Sequence, residues 1–85
     1  MIRAQTQPNT ELALTVRLDP SCEGALLRVL STLHRRRCRV TAARFHQDDS
    51  GSDRLALRLF APAARAAQVE LWLASLIEVH GVERG

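Results

Sequence analysis

The sequence contains no lysine and no tyrosine, and only two phenylalanines, one tryptophan and two cysteines in 85 residues. Each shortage closes off a class of function. With aromatics at 4%, the chain has little to stack against unpaired bases, the contact on which single-strand binders depend. Cys22 and Cys38 lack the close pairing of a metal or redox site. They bracket a helical stretch of about 14 residues, or roughly 20 Å, which is beyond disulfide reach. Long apolar runs are also missing, since none approaches the roughly 20 residues of a membrane span. Arg3 is not followed by the apolar core of a secretory signal. A cytoplasmic protein with no membrane partner is expected.

The basic side chains are all arginine, 12 of them against 9 acids, for a net charge of +3. An all-arginine set reflects genome composition more than chemistry. A modest positive charge with few aromatics is a weak argument for nucleic acid. The length fits one domain, and the 46% hydrophobic content is that of a globular chain. A domain of this size buries only roughly 60% of its unfolded surface, so a partner would help it.

Residues 19–40 organise the rest. Asp19, Pro20 and Ser21 carry the turn and cap chemistry that starts a helix. Leu26, Leu27, Val29, Leu30 and Leu33 recur at helical spacing and form one apolar stripe. Arg35, Arg36 and Arg37 crowd the helix end, where cations suit the negative end of the macrodipole. Gly24, near the helix start, places unpaired backbone N–H groups where a carboxylate could bind. It reads equally as an ordinary helix-start residue. Cys22, beside that N-terminus, is either a stabilised thiolate or a small loop residue. Cys38 is expected in the core.

In chain order, residues 1–10 read as a polar tail and 11–85 as the folded domain. Residues 11–18 alternate, with Leu12, Leu14, Val16 and Leu18 on one face, and predict a strand with one face buried. A helix over 23–36 follows, then a strand over 38–46 with Cys38, Val40 and Ala42 inward. Phe45 breaks that parity, which points to a bulge or a change of face. Residues 47–52 are a turn. Leu55, Leu57 and Leu59 alternate in a strand over 54–60, and Ala61 and Pro62 end it. A second helix over 63–76 buries Ala66, Val69, Leu73 and Leu76, with Trp72 at its flank. Residues 79–83 form a last short strand.

The order βαββαβ is the α+β, ferredoxin-like plan: a four-stranded antiparallel sheet with two helices on one face. Its first and third strands lie in the middle, and they are the two with the cleanest leucine alternation here. The face without helices is then Ala13, Thr15, Arg17, Thr41, Ala43, Ala56 and Arg58. Those positions hold no aromatics, so the stacking platform of an RNA-recognition domain is missing. Acylphosphatases of this plan need a glycine-rich loop ending in arginine, and copper chaperones need Cys-x-x-Cys; residues 19–24 supply neither. His34, His46 and His80 fall at the helix end, the end of the second strand and the last strand, and the sequence sets out no triad motif around them. No catalytic residue, metal or cofactor is expected.

Glu23-Gly24-Ala25-Leu26-Leu27-Arg28-Val29, followed by Arg36-Arg37-Cys38-Arg39-Val40, resembles the opening of ACT domains in the small regulatory subunits of acetolactate synthase. That family's pattern is Pro-Gly-Ala-Leu-x-Arg-Val, then Arg-Gly-aromatic-Asn-Ile entering the second strand. Leu73-Ala74-Ser75-Leu76-Ile77-Glu78-Val79-His80-Gly81-Val82 resembles its second helix running into the last strand. The short length is similar to the isozyme II type. The resemblance implies a non-catalytic subunit that binds and activates the thiamine-diphosphate-dependent large subunit of branched-chain amino acid synthesis. It implies a small amino acid held at a dimer interface, and the thin margin of so small a domain with an unpaired second-strand edge separately predicts a homodimer through sheet edges. The matching ligand positions would be Asp19 or Ser21, Gly24, Ala25, Leu26 and Arg39. Apart from the resemblance, the basic cluster Arg35, Arg36 and Arg37, in a chain without an aromatic platform, is expected to dock a partner protein and not nucleic acid. Three departures stand out: Arg37 replaces the family's glycine, Cys38 its aromatic and Arg39 its asparagine. Arginine only donates, so it cannot accept from an amino acid's ammonium as asparagine can. Weak or absent valine feedback is therefore expected. A free-standing ACT domain sensing an amino acid for another enzyme, or a nucleic-acid module, are the competing readings.

Overall fold

Leucine alternation on two strands decides the architecture. A computed structural model describes residues 9–47 and 51–85. Strand β1 (Asn9–Leu18) pairs antiparallel with β3 (Asp53–Pro62) along its whole length, from Asn9 opposite Pro62 to Leu18 opposite Asp53. Leu12, Leu14, Val16 and Leu18 thus lie across from Leu59, Leu57, Leu55 and Asp53. The apolar members of this set form the floor of the core. Helix α1 (Ala25–Arg35) brings Val29 and Leu33 onto that floor, and α2 (Ala66–Ala74) brings Val69 and Leu73. Strands β2 (Arg39–His46) and β4 (Val79–Arg84) complete an antiparallel sheet of order β2-β3-β1-β4. This is the βαββαβ plan, with β1 and β3 central.

Local departures from the predicted elements have physical causes. The tail was expected to run to residue 10, but Asn9 and Thr10 already pair with Pro62 and Ala61; residues 1–8, and 48–50 of the predicted turn, lie outside the described ones. Asp19 and Ser21 do not cap α1. The Asp19 carboxylate instead accepts from the Ser21 backbone N–H (2.9 Å) and hydroxyl (2.7 Å), closing a local turn. The helix starts later, after Gly24, whose φ of 80° is a left-handed conformation open to glycine. Ala61 is fully buried inside β3, which therefore continues to Pro62. Pro62 then leads into a 3-10 turn (Ala63–Arg65) before α2 begins.

The largest correction concerns β2. Val40 lies opposite Leu59, but the next paired residue is Ala42, opposite Arg58. Thr41 is the extra residue of a bulge. Beyond it, Ala43 and Phe45 lie opposite Leu57 and Leu55 on the helix side, while Ala42 and Arg44 share the uncovered face with Arg58 and Ala56. Ala42 is thus outward rather than inward, and Ala43 is not on the uncovered face. A second irregularity in the β1–β4 pairing falls between Arg17 and Leu18 and leaves His80 between the paired Val79 and Gly81. No helix among the described residues is long and apolar enough to cross a membrane.

Candidate functional site

The end of β1, the start of α1 and the end of β2 meet at one corner of the domain. A cleft of about 140 Å³ opens there, lined by Leu18, Asp19, Cys22, Gly24, Ala25, Leu26, Phe45 and Asp53. Its wall is built from the backbone outward. Asp19 N–H donates to the Glu78 carbonyl (2.9 Å), which fixes the exit of β1. Cys22 N–H donates to the Asp19 carbonyl (3.1 Å), and the chain then turns through Gly24 into α1. Phe45 arrives on the helix side because of the Thr41 bulge, and it stays 43% exposed at the sheet edge.

The electrostatics of the corner are acidic. Hydrogen bonds from Ser21, the side-chain hydroxyl first and the backbone N–H second, hold the Asp19 carboxyl below its ordinary pKa. Asp53 is the second carboxylate of the cleft. Desolvation, and then the negative charge of Asp19, push the Cys22 thiol upward. Cys22 is therefore held as a thiol, and the stabilised-thiolate reading does not apply. Burial likewise raises the pKa of Cys38, which sits in the core as expected.

Four of the six residues expected to hold a ligand, Asp19, Gly24, Ala25 and Leu26, line this cleft, and Ser21 is tied to Asp19 behind it. Arg39 is not brought to it. It begins β2 opposite Phe60, which lies opposite Glu11, so Arg39 sits on the uncovered face at the other end of the sheet. The arginines expected to dock a partner are at that far end too. Arg35 closes α1, Arg36 lies over the Trp72 ring at 4.6 Å, and Arg37 adopts a positive φ of 63°. Sequence reasoning missed Phe45 and Asp53; the parity break at Phe45 was the available signal. It also missed a line of contacts between two loops and β4. Ser52 Oγ lies 2.6 Å from His80 Nδ1, and His80 Nε2 lies 3.7 Å from Asp19 Oδ2. The second distance is too long for a hydrogen bond, so the line lacks the base-to-carboxylate bond that orients a catalytic triad. Among the described residues, no cluster of three His, Cys, Asp or Glu side chains could hold a metal.

Solved structures share the fold. The crystal structure of the ACT domain from GTP pyrophosphokinase of Chlorobium tepidum superposes with a TM-score of 0.73 at 11% identity, covering 92% of this chain and 100% of that one. The solution structure of the same domain gives 0.70 at 12%, covering 91% and 86%. The C-terminal domain of the MgtC protein from Mycobacterium tuberculosis gives 0.69 at 14%, covering 96% and 94%. The fold is that of ACT domains. No protein-family model matches the sequence, and no curated protein does.

Proposed function

We propose that this chain is a non-catalytic regulatory domain of the ACT type, and within that class the activating small subunit of acetolactate synthase in branched-chain amino acid synthesis. The observation that carries the regulatory reading is the corner cleft, where the residues matching the family's effector loop meet an aromatic from the edge strand. Its volume of about 140 Å³ falls below the roughly 300–1,000 Å³ of a complete small-molecule site. That fits half a site, completed by a second copy. The edge of β2 supports the same reading, because Thr41, Ala42, Ala43, Arg44, Phe45 and His46 are all exposed and none of the described strands pairs with its outer side. A two-fold axis at that edge would run two β2 strands antiparallel and carry one copy's strand start towards the other's cleft. Light scattering that finds only monomer at micromolar concentration would sink the dimer.

The finer assignment rests on the motif resemblance over residues 23–40 and 73–82. The cleft's own charges add a constraint. Asp19 and Asp53 suit an ammonium group, whereas the described lining offers no cation for a carboxylate. Arg39 faces the other side of the sheet, so an amino acid's carboxylate would go without its partner there. This subunit should activate the synthase while valine changes the rate little. Co-expression with an acetolactate synthase catalytic subunit is the test. Co-purification with raised activity is expected; failure to associate overturns the assignment. Micromolar binding of valine, leucine or isoleucine by a chain that ignores the synthase would select the second reading, a free-standing sensor, which the cleft alone supports.

A further inference from the structure

We propose that the uncovered face of the sheet is a docking surface for an acidic amphipathic helix of a partner protein. This goes beyond the reading of the corner cleft and uses different residues. The face is arranged in cross-strand rows. Arg39, Phe60 and Glu11 form one rim. Next come Ala42, Arg58 and Ala13, with the Gly85 N–H bonded to the Ala13 carbonyl. Then follow Arg44, Ala56, Thr15 and Glu83, and finally His46, Arg54, Arg17 and Gly81. The middle rows enclose an open groove of about 470 Å³ whose lining includes Ala13, Ala42, Ala56 and Gly85, flanked by Arg44 and Arg58.

Three features set the chemistry of the occupant. The groove has a methyl floor. Alanine is a poor strand former, and a free-standing sheet face gains more from β-branched or aromatic residues. Small residues let another backbone approach closely. The walls are basic, with five arginines against two glutamates in the four rows. Arg54 is engaged within the chain, Arg58 reaches Glu11 at 3.6 Å, and Arg44 carries no ion pair among the described residues. Arg17 lies directly opposite Arg54, a like-charge pair that disfavours the sheet by itself. Finally, Arg17 Nε is buried without an acceptor among the described residues. A carboxylate arriving at that row would offset the positive charge of the Arg17 guanidinium.

These features also choose among occupants. A second copy stacked on this face would set arginines against arginines. A nucleic acid strand would meet charge but no stacking ring in the central rows, since the rings of the four rows, Phe60 and the His46 imidazole, stand in the two outermost ones. An acidic helix matches on both counts: an apolar ridge on the alanine floor and glutamates beside Arg44, Arg58 and Arg17.

The test is an NMR titration of the isotopically labelled full chain at physiological salt. One probe is a helical peptide of about 20 residues, some 30 Å long, with an Ala/Leu stripe flanked by glutamates. The other is single-stranded DNA of equal net charge. We expect the peptide to shift the amides of Ala13, Ala42, Ala56 and Gly85. The double variant Arg44→Glu/Arg58→Glu, folded by its own spectrum, should weaken the peptide roughly tenfold or more. Peptide shifts confined to other surfaces, no binding, an unchanged affinity in the double variant, or tighter binding of DNA on these rows would each overturn the proposal.

Discussion

Leu57 and Ala56 are neighbours on β3 and have opposite fates. Leu57 points towards the helices and is 2% exposed, while Ala56 points away and is exposed. The same division runs along β1, where Leu14 is 1% exposed and Ala13 beside it lines the uncovered groove. The helix-side face is a matter of volume: leucine after leucine, closed by Val29, Leu33, Val69 and Leu73. The other face is small and charged, a composition that does little for the stability of this chain. One sheet thus serves two demands, and its period of two keeps them apart.

Three substitutions measure that division. The largest effect should come from Leu57→Ala, which removes buried methyls from a core with little room to collapse. It should lower stability by about 2–5 kcal/mol in urea unfolding. A loss under about 1 kcal/mol would mean that the helix-side face is loosely packed and that the contrast is overdrawn.

Arg37→Gly tests the seam where the chain passes from the helix layer to the sheet edge. Arg37 stands at φ 63°, a conformation that disfavours residues with a Cβ by about 1–2 kcal/mol. Glycine loses part of that gain to the entropy of its unfolded chain. A net stabilisation of about 0.5–1 kcal/mol is expected, read as a rise of roughly 2–8 °C in thermal midpoint. A fall in midpoint would show that the Arg37 side chain holds the turn.

Gly81→Ala should do least, although its geometry is the tightest of the three. An added Cβ would meet the Arg17 guanidinium, but that is the far end of a flexible side chain on the uncovered face. Arg17 can swing aside, so the change should stay within about 0.5 kcal/mol. A penalty near that of Leu57→Ala would show that the uncovered face is packed as rigidly as the core.

Much of the fold was legible because its strongest signals are redundant. The leucines of β1 and β3 state both strand identity and facing, and their purity places them in the middle of the sheet. The bulge in β2 was legible only as a symptom. Phe45 broke the parity, but Ala42 and Ala43 are alike in size and polarity, so neither reveals where the extra residue sits. The start of α1 misled for another reason. Aspartate and serine satisfy each other as readily as they cap a helix, and no pattern in the sequence separates the two uses. At the cleft, the loop from Asp19 to Leu26 could be read from the motif resemblance. Asp53 could not, because only the β1–β3 register brings it beside Leu18. Arg39 shows the limit of matching by position: it aligns with a ligand residue of a family yet lies on the far side of this sheet.

The β2 bulge has a genetic consequence. Pairing between β2 and β3 proceeds from Val40 to Ala42 as though Thr41 were not present. An in-frame loss of that one codon would leave the residues on either side opposite the same partners, and would remove one hydroxyl contact, Thr41 to the Arg58 carbonyl at 3.2 Å. A single-residue deletion elsewhere in the strand would send every residue beyond it to the wrong face. Thr41 is thus the point in β2 where a reading frame of side chains can change length without changing meaning.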